Sequence, residues 1–560
     1  MSTATNQSSS NLRGRLSGLV LAFVLGVATM QTVSFVRQHH DSGRNNHNPL
    51  SSTVSITHPA YHYQELKPVL RNPKHQAQQC GFFLAKSAVA PNAGLGMFVG
   101  HGGLLPNDMV GFPDICLFVQ NYPTKGIEHL MTHTWGGGMW FGNREGRTRI
   151  ACEGYGTIFN TMPRSHINTK LRSAIQQTTA GATRDTPNAG SITHHYGMHG
   201  VALDVIPAGS ELTIDYYDWD FDEREYRGKK RPERSLDDLE ENGWCIDNID
   251  IRQSTIEHSG RGAFSKRRLN QGQVVVPAPV EVFKDRAVFK NQRPEHLFVN
   301  YCLQPKNSKM LFYPYGPGVN LIQHSSKAPN VGLQWSSKEA HQAELLTMTY
   351  DQFWEHVRPG SLILEVVALR DLAPGEELFL DYGPTWEEAW KNHVASWKPP
   401  PGAANYTYPE DMDETEVLRT VKEQEQNPYP PNLITMCNTP GEMGRESKHM
   451  EWQESGEEWW WKLAFCHVLD RKMGSNGAHV YTVALIPHKN RQKALTEDDL
   501  RYDPSIPFQE RYVDINVPRR AIHWVEKPNT DDEHLPNSFR QPIEMPDDLV
   551  ALVWLNFGKR

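Results

Sequence analysis

Two tyrosines, Tyr216 and Tyr382, close two runs of the same design. Residues 366–383 alternate apolar and polar side chains, pass Pro374-Gly375 and arrive at Asp381-Tyr382. Residues 201–216 do the same through Pro207-Ala208-Gly209 to Asp215-Tyr216. Proline fixes φ and the following glycine accepts a turn conformation, so each run reads as strand, tight turn, strand. Upstream of each tyrosine, at a comparable distance, lies a glycine pair: Gly94-Leu95-Gly96 in the first run and Gly260-Arg261-Gly262 in the second. Alone such a pair marks an ordinary turn. The ordered combination, occurring twice, marks a duplicated unit.

The second copy carries a third signal between its glycines and its tyrosine, Gln323-His324-Ser325 followed by Pro329-Asn330. Glycine pair, His-Ser segment and Gly375-Glu-Glu-Leu-Phe-Leu-Asp-Tyr382 together resemble the SET-domain family of protein lysine methyltransferases. The family pattern is Asn-His-Ser followed by Pro-Asn; here Gln323 replaces the asparagine and one extra residue separates the two parts. With both copies counted, the resemblance spans residues 78–395. It implies a mainly β fold with short helices: two SET-like β units in tandem, residues 78–230 and 245–398. The first copy keeps asparagines over residues 156–168 but lacks the His-Ser pair, and is expected to be a degenerate, structural copy.

For the second copy the resemblance implies S-adenosylmethionine as cofactor and a lysine side chain of a protein as substrate. Tyr382 would be the catalytic tyrosine whose hydroxyl orients the amine and the methyl group. Gly260 and Gly262 would leave the backbone open to the methionine part of the cofactor, so that a bulky residue at Gly262 should block it. Gln323, His324 and Asn330 fall in the adenine-binding segment, and Phe379 stands where an aromatic shapes the lysine channel. No metal is required. A lysine amine, with a reference pKa of about 10.4, must lose its proton to act as a nucleophile, and a dry channel favours that loss. The rival reading is a non-catalytic, membrane-tethered scaffold with a C-terminal binding module; a third is cofactor binding without turnover.

A chain of 560 residues has room for several cores, and 22% charged with 10% aromatic residues describes a globular body. A net charge of −8 and a pI near 6.3 argue against a general phosphate-binding surface, so no direct nucleic-acid binding is expected. Basic proteins are electrostatically acceptable partners.

The N-terminus differs from all that follows. Residues 1–15 are polar, residues 16–36 run without a charge, and residues 37–77 read as a linker. A helix of about 21 residues reaches roughly 30 Å, the thickness of the hydrocarbon layer, so a single-pass transmembrane anchor is the leading reading. A cleaved signal peptide ending near Gly26-Val27-Ala28 is the rival, placing the body in the secretory pathway. Arginines flank the segment on both sides, at 13 and 15 and at 37 and 44, so charge does not orient it. The sequons at Asn6 and Asn405 are short enough to occur by chance. Seven scattered cysteines without a Cys-x-x-Cys suggest neither a disulfide framework nor a zinc cluster.

After Tyr382, the residues Trp386, Trp390, His393 and Trp397 recur at helical spacing, predicting a helix that packs one aromatic face and ends by Pro399. Residues 403–560 form a separate β-rich region. Residues 459–471 and 478–486 read as a hairpin, 521–525 as a third strand and 526–547 as loop. Its spacing faintly resembles Tudor-like barrels, which read methylated side chains with an aromatic cage; aromatics filling a small core are the simpler reading.

Overall fold

The arms of each Pro-Gly run do form strands, but they do not pair with each other. Leu362–Ala368 lies between Val274–Phe283 and Val331–Trp335, antiparallel to both. Beyond the turn the chain leaves that sheet, and Phe379–Leu380 runs parallel to Gln323–His324 instead. The turn itself is pinned elsewhere: the Gly375 N–H donates to the Ser265 carbonyl at 2.6 Å, and Leu269 and Leu372 bridge. The tyrosine is therefore carried across to a second layer rather than folded back.

The computed structural model describes residues 79–554, apart from 113–115, 120–133, 137–148, 153, 178–193, 217–220, 258, 290–296, 400–406, 408–410, 413–414, 439–462, 486–512, 527–537 and 552–553. The expected anchor at 16–36 and the linker at 37–77 lie outside the described residues, and no described helix is long and apolar enough to cross a membrane. The described part is mainly β with short helices.

In the first half, Phe82–Lys86 pairs with Leu95–Val99, Met109–Val110 with His194–Ala202, and Thr213–Ile214 runs parallel to Asn160–Thr161. In the second half, Ile249–Gln253 pairs with Arg261–Ser265, ahead of the six-stranded sheet built around Val274–Phe283. One continuous core joins the halves: Met97, Phe159 and Ile206 share it with Val280, Phe298 and Leu364. Burial of such side chains, about 1.5–3 kcal/mol each, is the main term holding the halves as one body.

The C-terminal region has its own core. Its five-stranded sheet runs Val513–Pro518, His479–Leu485, Leu463–Met473, Leu433–Asn438, Ile522–Glu526. The expected hairpin and third strand are present; Leu433–Asn438 and Val513–Pro518 are additional. Tyr481 and Trp524 are buried in this core, and the Arg419 guanidinium sits 4.1 Å over the Tyr429 ring. These aromatics are packing residues, as the simpler reading held. The expected loop at 526–547 is corrected in part: Ile543–Glu544 forms the edge strand of the six-stranded sheet, parallel to Leu303–Gln304.

The cysteine reading is also corrected. Cys80 is joined to Cys245 and Cys437 to Cys466. Cys152 is disulfide-bonded as well, with Cys116 opposite it in the strand register. Cys302 is reduced and buried. Asp247 lies beside Cys80 and Cys245 but is paired with Lys266 and Arg267, each at 3.0 Å. The bridges close loops of 165 and 29 residues, a constraint on the unfolded chain of about 3–5 kcal/mol each. Reduction with dithiothreitol is therefore expected to lower the melting temperature by many degrees, and thiol labelling in denaturant should find few reactive cysteines until reductant is added. Full labelling without reductant would refute the cross-links.

Candidate functional site

The site grows from the crossing of Gln323–His324 and Phe379–Leu380, two short parallel strands in register Gln323 with Phe379 and His324 with Leu380. Asn330 clamps them. Its buried amide donates to the Glu377 carbonyl at 2.8 Å and accepts from the Phe379 N–H at 2.7 Å, while its own N–H donates to the Phe379 carbonyl. With both ends of the amide engaged, Asn330 shapes the crossing and leaves ligand contacts to the backbone.

Gln323 links this crossing to the glycine segment. Its Nε2 donates to the Arg261 carbonyl at 2.7 Å and approaches the Ser259 carbonyl at 3.4 Å. The glutamine that departs from the family pattern is thus long enough to tie the two predicted cofactor segments together. Gly260 sits at φ 69°, which a side chain would strain. Gly262 also has a packing role inside the fold. A Cβ there would lie 2.3 Å from Glu377 Oε1, and Glu377 is itself held by Ser254 Oγ at 2.6 Å and the Thr255 N–H at 2.8 Å. The glycine makes room for a buried carboxylate, so the space is already filled, and a bulky residue would disrupt packing before it could report on a ligand.

Tyr382 is fixed on several sides. Its hydroxyl donates to the Ile322 carbonyl, its N–H donates to His324 Nδ1 at 3.0 Å, and its carbonyl accepts from the Glu544 N–H at 2.9 Å. Its ring lies 5.1 Å from that of His324 and 5.0 Å edge-on from Trp386. Burial pushes the phenol well above its ordinary pKa, so it is a neutral donor throughout the physiological range. Burial also holds His324 below the usual histidine value, outweighing Leu380, Asp381 and Glu387, which act the other way. A neutral imidazole is what the Tyr382 N–H requires as acceptor. Phe379 is half-buried, with its backbone held by Asn330.

The predicted helix is Pro384–Ser396. Trp386 and Trp390 stack at 5.9 Å, Trp390 and His393 at 5.5 Å, and Phe539 from the C-terminal tail packs edge-on against both indoles. Trp386 packs against the main core, as expected, while Trp390 and His393 lie half-buried against Phe539.

The first half repeats these contacts one by one. Tyr216 donates its hydroxyl to the Phe159 carbonyl and its N–H to Thr161 Oγ1 at 3.3 Å. Asn168 donates to the Glu211 carbonyl at 2.8 Å and accepts from the Thr213 N–H at 2.9 Å. Asn160 reaches the Leu95 carbonyl at 3.0 Å, and a Cβ at Gly96 would lie 2.1 Å from Glu211 Oε1. Glu211 accepts from Ser87, Ala88 and Asn160. The Tyr216 phenol is pushed up to about 12, by burial first and by Glu211 second. The difference lies in Thr161, which stands where the second half has His324 and brings no ring to stack.

Sequence reasoning missed Glu377, Glu211 and Glu544. The two glutamates of the turns carry no local signal of burial beyond their recurrence one residue before a leucine in both runs.

Residues 260–383 match the SET domain family model, a span that contains every site residue named above from the sequence. Among solved structures, the chain is similar to a Plasmodium falciparum candidate histone methyltransferase, at 18% identity over 25% of this chain and 96% of that one, with a TM-score of 0.17. It is also similar to the Chaetomium thermophilum polycomb repressive complex 2, at 18% identity over 24% of this chain with a TM-score of 0.18. This chain spans only 15% of that one's length. The same complex in an autoinhibited, S-adenosylmethionine-bound state gives 17% identity over 26% of this chain and a TM-score of 0.17. No curated protein matches the sequence.

Proposed function

We propose that residues 245–398 form an S-adenosylmethionine-dependent protein lysine methyltransferase unit, with Tyr382 as its catalytic residue. One observation carries the reading. A neutral phenol, half-buried and fixed through hydroxyl, N–H and carbonyl, stands at the end of a strand crossing tied by Gln323 to the Gly260 segment. The donor set suits the cofactor. Half-buried rings of His324 and Trp386 and the Ile322 carbonyl offer electron-rich faces and an acceptor to a sulfonium, while Gly260 keeps a backbone bare of side chain. Gly260, Gln323, His324 and Asn330 would hold it through the backbone they shape. S-adenosylmethionine supplies an electrophilic methyl group.

The chain's own residues do the rest. Phe379 and the rings beside Tyr382 keep water from the lysine, which favours the neutral amine. The Tyr382 hydroxyl, its proton held on the Ile322 carbonyl, accepts from the amine N–H and so keeps the amine lone pair in line with the methyl carbon. Positioning of this kind supplies several kcal/mol of a barrier, up to about 7–11 when geometry is ideal. Calorimetry of the full chain in detergent with S-adenosylmethionine is expected to show saturable binding. Absence of binding would put the scaffold reading in its place.

The repeated contacts support reading residues 78–230 as a second SET-like unit, and Thr161 in place of His324 supports its being structural. The disulfides favour the secretory pathway, since such bonds persist in oxidising compartments. In that setting residues 16–36 serve as signal peptide or membrane anchor, and the enzyme draws on cofactor delivered to the lumen. The net charge of −8 is compatible with a basic protein substrate and disfavours nucleic acid.

A further inference from the structure

The tail that follows the C-terminal β region returns to the crossing and takes hold of the residues around Tyr382. Its edge strand is anchored by the Ile543 N–H on the Cys302 carbonyl at 2.8 Å and the Met545 N–H on the Gln304 carbonyl at 2.9 Å. Further along, Trp554 is fully buried, 5.0 Å from Phe312, and the Trp335 indole donates to the Leu549 carbonyl at 2.9 Å. The tail is therefore part of the body and not a loose appendage.

Between those anchors lies Glu544. Its N–H donates to the Tyr382 carbonyl at 2.9 Å, and its Oε2 accepts from the Thr385 N–H at 3.2 Å. Its Oε1 pairs with Lys306 at 2.7 Å, and the side chain is only 9% exposed. Gly383 lies between the two contacts, at φ 87°, with its Cβ position 2.5 Å from the Glu544 Cβ. The tight approach is possible because that residue has no side chain. Burial raises the Glu544 carboxyl's pKa, but hydrogen bonds from Lys306 and Thr385 outweigh it and the net shift is downward, so the group is an anion at neutral pH.

We infer that Glu544 is a positioning residue for methyl transfer: from a segment outside the matched SET region it fixes the main chain on both sides of Gly383, and so the direction of the Tyr382 phenol. The inference rests on the methyltransferase reading. Without the carboxylate, Thr385 loses its acceptor at the first turn of the helix, and the phenol's carrier is tied through Glu544 by one main-chain bond instead of two contacts.

The test uses the full chain with Glu544→Ala and Glu544→Gln. The glutamine keeps an oxygen for Thr385 and loses the charge on Lys306; the alanine loses both. Glu544→Ala is expected to lower kcat roughly 10- to 100-fold, the size of a small misplacement of a reacting group, with little change in KM. Hydrogen exchange of the amides at Gly383 and at 385–387 should quicken in the same variant, and Glu544→Gln should restore both. Faster exchange with unchanged kcat would overturn the inference, as would unchanged exchange. A wild-type chain without transferase activity would overturn the methyltransferase reading alone, and the exchange of these amides would then decide whether Glu544 fixes the Tyr382 backbone.

Discussion

Tyr382→Phe is expected to remove nearly all methyl transfer, whereas Tyr216→Phe leaves it largely intact. The two phenols make the same main-chain bond, to Ile322 and to Phe159. Their stability effects should therefore be alike: each substitution keeps the ring and strands one buried carbonyl, a loss of about 1–3 kcal/mol. Their catalytic effects should differ. Loss of a preorganised hydrogen-bonding group at a reacting centre costs roughly 100- to 1,000-fold in kcat. Tyr382 lies beside the His324 ring and in the unit with the His-Ser segment. Steady-state transfer to a lysine peptide, with melting curves on the same samples, separates the two effects. Equal activity losses in both variants would show that the phenols act through the shared core, and a loss confined to Tyr216→Phe would move the active site to the first half.

How far the sequence led is clear at this crossing. Gln323, His324, Asn330, Phe379 and Tyr382 lie in two short continuous motifs, so their types and order were enough to place them together, and the fold brings them within hydrogen-bonding distance. The role of Gly262 was not legible, because its partner Glu377 is a charged residue in a turn, which pattern alone assigns to solvent. A consequence is that tryptophan at Gly262 and at Gly96 would both displace a buried glutamate, and that pair of variants cannot tell the halves apart. Glu544 was hidden by distance along the chain: its segment is rich in proline and acidic residues and takes its strand conformation only by pairing with Leu303–Gln304. The disulfides were hidden for the same reason, since Cys80 and Cys245 are separated by 165 residues and no spacing rule connects them. Local pattern fixes what neighbours in sequence do; contacts closed by tertiary packing leave no trace in it.

Glu281→Gln is expected to stabilise the protein at pH 8 by a few kcal/mol while changing little at pH 4. Glu281 lies on Val274–Phe283, the strand at the centre of the six-stranded sheet, is 2% exposed, and has no hydrogen-bond partner for Oε1 among the described residues. Burial pushes its carboxyl up to about 8, whereas in the unfolded chain it ionises near the ordinary value of about 4.3. Between those two values the unfolded state has released a proton that the folded state still holds. Stability therefore falls as pH rises from about 4.3 towards 8, by up to 1.4 kcal/mol per unit, and levels off once the folded carboxyl also ionises. A glutamine of similar size is uncharged in both states and removes that slope. The measurement is the melting temperature of wild type and variant from pH 4 to pH 9. Convergence at the acid end and divergence above neutrality is the expected result; parallel curves across the whole range would mean that Glu281 is solvated or paired in the folded protein and ionises normally.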